Sequence, residues 1–170
     1  MKDLKDTVAW ITGAGTGIGE GAAVAMAREG AKVILTGRRL DPLKQVSKKI
    51  ENAGGFVEIA QGDAMDRPGM MALAKDIQNR YGKLDLLFNN HGINITNRNW
   101  GGGNLEGWDE VIDVNVKGAY NCALAALEVM RPQGEGTIIT TSSKAGVNYS
   151  PRAGVASVSY THLRAHETRP

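Results

Sequence analysis

Residues Thr12-Gly13-Ala14-Gly15-Thr16-Gly17-Ile18-Gly19 make a glycine-dense turn between an apolar run, Val8-Ala9-Trp10-Ile11, and a helical pattern. A strand that reverses sharply into a helix, with its amides facing a pyrophosphate, needs residues that accept positive φ and put no Cβ in the ligand's way. Gly13, Gly17 and Gly19 meet that need, with Thr16 and Ile18 between and beside them. The chemistry offered is nucleotide binding. The stretch Ala22, Ala23, Ala25, Met26, Ala27 reads as a tightly packed helix whose N-terminal partial positive charge faces the phosphates. No Gly-Lys-Ser/Thr follows the turn, so a P-loop is disfavoured.

A second group of residues bears on which nucleotide. The second apolar run ends Thr36-Gly37-Arg38-Arg39, where a site for NAD usually carries an acid for the ribose hydroxyls. Gly37 stands in the acid's place. A carboxylate there repels a 2′-phosphate, whereas a guanidinium offers it paired, charge-assisted hydrogen bonds. Arg38 and Arg39 therefore predict NADP in preference to NAD; the plainer reading makes them solvent-facing loop charges.

The elements that position these residues alternate in type. Strands are expected at Thr7 to Thr12, Lys32 to Thr36, Phe56 to Gln61, Leu84 to Asn89 and Gly136 to Thr141. Several are near-continuous apolar runs, as strands covered on both faces are. Helices are expected at Gly17 to Arg28, Asp41 to Asn52, Pro68 to Tyr81 and, as one long element, Glu106 to Met130. The pattern predicts an α/β fold, a Rossmann-type doubly wound parallel sheet of about five strands with right-handed crossovers. Its ligand belongs at the carboxyl ends of the strands. The glycine-rich stretch Asn94 to Asn104 reads as a loop that either borders a substrate pocket or is surface irregularity.

Composition narrows the partners. With 170 residues, 42% hydrophobic and 22% charged, the chain can bury a core. A net charge of +2, with neither a basic stripe nor an aromatic stacking platform, argues against nucleic acid or membrane as partner. The lone Cys122 excludes an intrachain disulfide and fits a reducing cytoplasm. Met1 to Thr7 is charged, and no long apolar stretch follows it. No group of His, Cys and carboxylates has metal-ligand spacing, so no metal is expected.

Taken in order, five motifs resemble the short-chain dehydrogenase/reductase family. They are Thr12-Gly13…Gly17-Ile18-Gly19, Asp63 and Ala64 after the third strand, Asn89-Asn90-His91-Gly92 after the fourth, Asn115 within Asp113-Val114-Asn115-Val116-Lys117-Gly118, and Ser142-Ser143 after the fifth. The likeness runs from Lys5 to roughly Ala156. It implies that Asp63 meets the adenine and that Asn90, His91 and Gly92 line the cofactor, His91 standing where alanine is usual. It also implies reversible hydride transfer between a nicotinamide and a small-molecule carbonyl or alcohol, in a full-length parent that is a cytoplasmic homo-oligomer. In the family a tyrosine is the general acid/base, and a lysine four residues on lowers its pKa from the usual value near ~10. Ser143 matches the serine that positions the substrate oxygen, and Asn115 the asparagine that holds a proton-relay water. The alternative is a non-catalytic NAD(P)-binding sensor or scaffold.

The tyrosine and lysine do not follow. Four positions after Tyr81, Tyr120, Tyr149 and Tyr160 stand Asp85, Leu124, Ala153 and Arg164, so Tyr-x-x-x-Lys is absent from the sequence. Tyr160 with Arg164 is a poor substitute, because arginine is not a titratable relay. The tail from Val158 to Thr168 resembles one reading frame of a transposase-type sequencing adapter. Residues 1–157 are therefore expected to be an incomplete, C-terminally truncated cofactor-binding domain and 158–170 a non-native tail. In that frame only the first base of codon 157, a T, comes from the gene, which is also the first base of a tyrosine codon; the natural residue at 157 is expected to be the catalytic tyrosine. Without the elements that follow in the family, the fifth strand is expected to be a sheet edge.

Overall fold

The computed structural model describes residues 4–96, 104–147 and 154–163. Five parallel strands, β1 (Val8–Thr12), β2 (Lys32–Gly37), β3 (Phe56–Gln61), β4 (Leu86–Asn89) and β5 (Thr137–Thr140), lie in the order β3-β2-β1-β4-β5. The chain first builds outward from β1 through β2 to β3, then returns to place β4 on the other side of β1. The order thus reverses between β1 and β4, and a crevice opens at their carboxyl ends.

Side-chain alternation along the strands sorts the core into two layers. Val8 and Trp10 of β1, Ile34 of β2 and Leu87 of β4 pack on one face against Met70, Ala74 and Ile77 of α3 (Arg67–Tyr81) and Cys122, Ala126 and Val129 of α5 (Ala119–Gln133). Ala9, Ile11, Val33, Leu35 and Phe88 pack on the other against Ala23 and Ala27 of α1 (Gly17–Arg28) and Leu43, Val46 and Ile50 of α2 (Leu40–Asn52). All five residues of β1 are buried, which is why that strand reads as an unbroken apolar run. Trp10 is fully buried because its indole N–H donates to Thr36 Oγ1 at 2.9 Å, leaving no unpaired donor in the core.

Local chemistry sets the helix ends. Asp66 caps α3 by accepting from the Gly69 amide, and Gly82 ends it at φ 76°. The helix expected from Glu106 to Met130 is interrupted: α4 (Leu105–Ile112) passes into a π-helical turn, Asp113–Gly118, before α5 begins. The break falls at Asn115, whose carboxamide turns away to bind the backbone of Ile93. After β5, Lys144–Gly146 form a 3₁₀ turn and α6 runs from Gly154 to Leu163. Part of the loop expected at Asn94 to Asn104, including Gly101 to Gly103, lies outside the described residues, as do Tyr149 and Arg164.

The two margins of the sheet differ. Beside β3, the Glu58 carboxylate accepts from the Tyr81 hydroxyl and from Arg80, and Lys32 lies 5.6 Å over the Tyr81 ring. Burial, and then the hydrogen bond to Glu58, push the Tyr81 phenol up to about 12. Beside β5, Ile139 is 42% exposed, and no described strand pairs with its outer edge. An exposed apolar edge templates pairing with other chains. Ile139→Lys is accordingly expected to raise the soluble fraction of the 170-residue chain and delay the onset of light scattering on heating; an unchanged onset counts against it.

Candidate functional site

The crevice holds a cavity of about 360 Å³. Gly13, Thr16 and Ile18 line it from the β1–α1 turn, and Arg38 and Arg39 from the end of β2. Asp63 and Ala64 reach it after β3, and Asn90, His91 and Gly92 after β4. Four elements thus bring together residues more than seventy positions apart in the chain. Gly17 and Gly19 serve the turn without lining the cavity. Gly17 has φ 62°, and a Cβ on it would meet no atom within 4 Å. A Cβ on Gly19 would come within 2.3 Å of the Gly13 carbonyl oxygen, so α1 can start this close to β1 only with glycine there.

Side-chain bonds carry the β1–β4 contact beyond the backbone ladder, which pairs Ala9 with Leu86, Trp10 with Leu87 and Ile11 with Phe88. Thr12 Oγ1 accepts from the amides of Asn90 at 3.0 Å and His91 at 3.2 Å. Asn90 donates from Nδ2 to the Gly13 carbonyl at 3.3 Å and accepts at Oδ1 from the Thr141 hydroxyl at 2.9 Å. Asn89 donates from Nδ2 to the Ala119 carbonyl at 2.7 Å. Asn90 stitches the strand ends together and Asn89 ties β4 to α5, before either is a contact for anything else.

Arg38 and Arg39 are exposed, and among the described residues neither is in an ion pair. Gln61 donates to the Arg38 carbonyl at 2.8 Å and so fixes the backbone from which both guanidinium groups project. The end of β2 carries glycine at Gly37, packed against Leu43 of α2. The wall there offers cations and no carboxylate. Next to it, one residue beyond the Gly62 amide that donates to the Gly37 carbonyl at 3.2 Å, the Asp63 Oδ1 accepts from the Met65 amide at 3.0 Å, which orders the loop beside the cavity.

Neither Asn115 nor Ser143 lines the cavity. Asn115 is almost fully buried; its Oδ1 accepts from the Ile93 amide at 2.8 Å and its Nδ2 donates to the Ile93 carbonyl at 3.1 Å. The Ser143 hydroxyl caps the 3₁₀ turn, accepting from the Ala145 amide at 3.2 Å. The cavity is also lined by Thr141, which no motif marked, by Val114 of the Asn115 motif, and by Tyr160, which the sequence offered only as a poor substitute for the missing tyrosine. The Tyr160 hydroxyl reaches the neighbourhood of Gly92, where Asn115 Oδ1 also lies. Ser157 faces elsewhere, on a second cavity of about 350 Å³ beside Ala145 to Val147, with its buried hydroxyl unpartnered. For Thr141 the only sequence signal was its strand-end position.

His91 is the titratable group at the centre of the site. Burial pulls its imidazole down to about 4; the Val114 backbone and Asp63 oppose that shift, and Arg38 adds to it. Its Nδ1 lies 2.8 Å from Thr12 Oγ1, and Nε2 is sealed from solvent without a hydrogen-bond partner.

The parallel sheet, the reversal of strand order and the glycine turn opening a helix at that reversal define a dinucleotide-binding α/β fold of the Rossmann type. The family model described as short chain dehydrogenase matches residues 7–159. The uncharacterized oxidoreductase Lin0452 of Listeria innocua is 36% identical over 152 residues, covering 89% of this chain and 61% of that protein. A metagenomic short-chain oxidoreductase crystallised with NADP superposes with a TM-score of 0.88 at 31% identity, covering 95% of this chain and 73% of that one. An NAD+-bound xylitol dehydrogenase gives 0.91 at 25% identity, over 95% of this chain and 62% of its own. The chain belongs to the short-chain dehydrogenase/reductase family of oxidoreductases, whose fold binds a nicotinamide cofactor. It spans about three fifths of the length of most of the curated relatives it matches. Among the described residues no helix is long and apolar enough to cross a membrane.

The depressed His91 value has a thermodynamic consequence. The unfolded chain binds a proton at this residue below its ordinary 6.5, whereas the folded chain resists until about 4. Stability from this group is therefore full above pH 6.5 and falls as the pH drops toward 4, by about 3 kcal/mol in all. The thermal midpoint of His91→Ala is expected to fall less between pH 7 and pH 5 than that of the unsubstituted protein; parallel falls in both would contradict the assignment.

Proposed function

We propose that the chain is the cofactor-binding part of a cytoplasmic, homo-oligomeric reductase or dehydrogenase that uses NADP(H) and acts on a small-molecule carbonyl or alcohol. The observation that carries the cofactor preference is the end of β2: glycine at position 37, then two exposed cations on the cavity wall, neither in an ion pair among the described residues. A 2′-phosphate matches that wall, and a ribose diol finds no carboxylate at Gly37 to bind it.

The rest of the cavity fits a dinucleotide. Gly13 and Gly17 both have positive φ, so the turn keeps its amides inward without side chains in front of them. The N-terminus of α1 adds favourable partial charge for a pyrophosphate. Asp63 and Ala64 border the place for the adenine, and Asn90, His91 and Gly92 form the wall between β1 and β4. The bound nicotinamide would supply the hydride acceptor or donor. Asn115, through its grip on Ile93, fixes the segment following that wall. In this reading Asn115 takes the proton-relay role and Ser143 the substrate-oxygen role that the family assigns to the matching positions.

We further infer that 158–170 is a non-native tail and that the natural chain has tyrosine at 157 and lysine at 161. Positions 157 and 161 face the second cavity here, while Tyr160 faces the first. Positions 157 and 160 are separated by about 60° around the helix and about 4.5 Å along it, so a tyrosine at 157 takes the place of Tyr160 once α6 turns and slides by that much. Resequencing the source locus is expected to give Tyr-x-x-x-Lys from 157. An intact locus encoding the present tail would sink that expectation and favour the non-catalytic NAD(P)-binding reading. The 170-residue chain itself is expected to aggregate and to lack reductase activity, and soluble, active, monodisperse protein would refute this.

In the full-length gene product, Arg38→Ala is expected to cut the ratio of NADP to NAD affinity by about tenfold or more, since a charge-assisted hydrogen bond contributes about 1.5–3 kcal/mol. Fluorescence titration of both reduced cofactors measures it. An unchanged ratio removes Arg38 from the assignment.

A further inference from the structure

His91 stands where three parts of the site meet, and its hydrogen bonds fix which nitrogen carries the proton. Thr12 Oγ1 already accepts from two backbone amides, those of Asn90 and His91. A hydroxyl has two lone pairs and one proton, so with both lone pairs in use the Thr12 O–H is left to donate. Its candidate acceptors are His91 Nδ1 at 2.8 Å and Asn89 Oδ1 at 3.3 Å. The shorter contact makes Nδ1 the acceptor and leaves the hydrogen of the neutral ring on Nε2.

That nitrogen is turned into the protein, away from solvent. It lies against the π-helical turn: a Cβ on Gly118 would come within 2.7 Å of it, and the Val114 backbone is near enough to favour a proton on the ring. Asn115 sits in the same turn and reaches back to Ile93, two residues beyond His91. The far end of the turn is held separately, by the bond from Asn89 to the Ala119 carbonyl. His91, the π turn, Asn115 and Ile93 thus form a loop closed by the chain from Ile93 back to His91, and Thr12 ties it to β1.

We infer that His91 is a positioning residue whose imidazole, held by Thr12 with its hydrogen on Nε2, braces the π turn Asp113–Gly118 against the end of β1 and so sets where Asn115 lies relative to the cofactor cavity. This rests on the proposed role of Asn115 in the reaction. Cavity lining alone would make His91 a matter of cofactor affinity; the brace makes it a matter of turnover.

Two substitutions in the full-length gene product separate the two ends of the ring. His91→Asn keeps an oxygen near the place of Nδ1 and loses the reach to the π turn, whereas His91→Gln puts an amide nitrogen near the place of Nε2. His91→Ala is expected to lower kcat about tenfold, about 1.4 kcal/mol on the barrier, while the NADPH dissociation constant moves less than about threefold. His91→Gln restores most of kcat and His91→Asn does not. Equal changes in kcat and affinity, or equal rescue by both amides, overturn the inference. Nitrogen NMR of the histidine-labelled, unsubstituted protein reads the tautomer without turnover: hydrogen on Nε2 is expected, and hydrogen on Nδ1 overturns the inference. Absence of turnover in the unsubstituted protein would instead mark failure of the proposed function, with the tautomer still measured.

Discussion

Everything in the site hangs on how β1 and β4 are joined where their ladder stops. Backbone pairing between them ends at Ile11 and Phe88, and a crevice at that point would expose unpaired polar backbone on both strand ends. The Thr12 hydroxyl takes up the amides of Asn90 and His91, and Asn90 returns a bond to the Gly13 carbonyl. Side chains thereby continue the sheet for two residues past its ladder, and the cavity walls are anchored before any ligand arrives.

Close approach is the second constraint. The β1–α1 turn brings Gly19 so near the Gly13 carbonyl that no side chain fits, while the small residues Ala23 and Ala27 let α1 settle onto Ile11 and its neighbours. Helix packing and the shape of the turn are therefore set together by small residues. A larger side chain at Gly19 would push the helix off the sheet and the turn out of shape together.

Much of this was legible in the sequence because the signals are local. Apolar runs marked the five strands, and the glycine turn, Gly37 and the two arginines fall at strand ends by simple counting. The interruption of the helix after Ile112 was not legible, because its cause is a bond between Asn115 and a backbone segment 22 residues earlier. Asparagine in a helical pattern carries no mark of such a partner. Likewise, nothing local to His91 indicates that Thr12 has already used its lone pairs on neighbouring amides. Ser143 was visible by motif, but its role as the cap of a 3₁₀ turn depends on the three-dimensional course of the chain after β5. The cavity position of Tyr160 depends on how α6 is rotated, which a helical pattern alone leaves open.

The two margins of the sheet differ in charge rather than in openness. On the β3 side, a carboxylate, a guanidinium, an ammonium and a phenol crowd the border, and an incoming strand would have to strip them of water and of one another. On the β5 side it would meet isoleucine and open backbone. Both outer strands are open to a further strand, β3 with Phe56 44% exposed and β5 with Ile139 42% exposed, and only on the β3 side would that strand displace charge.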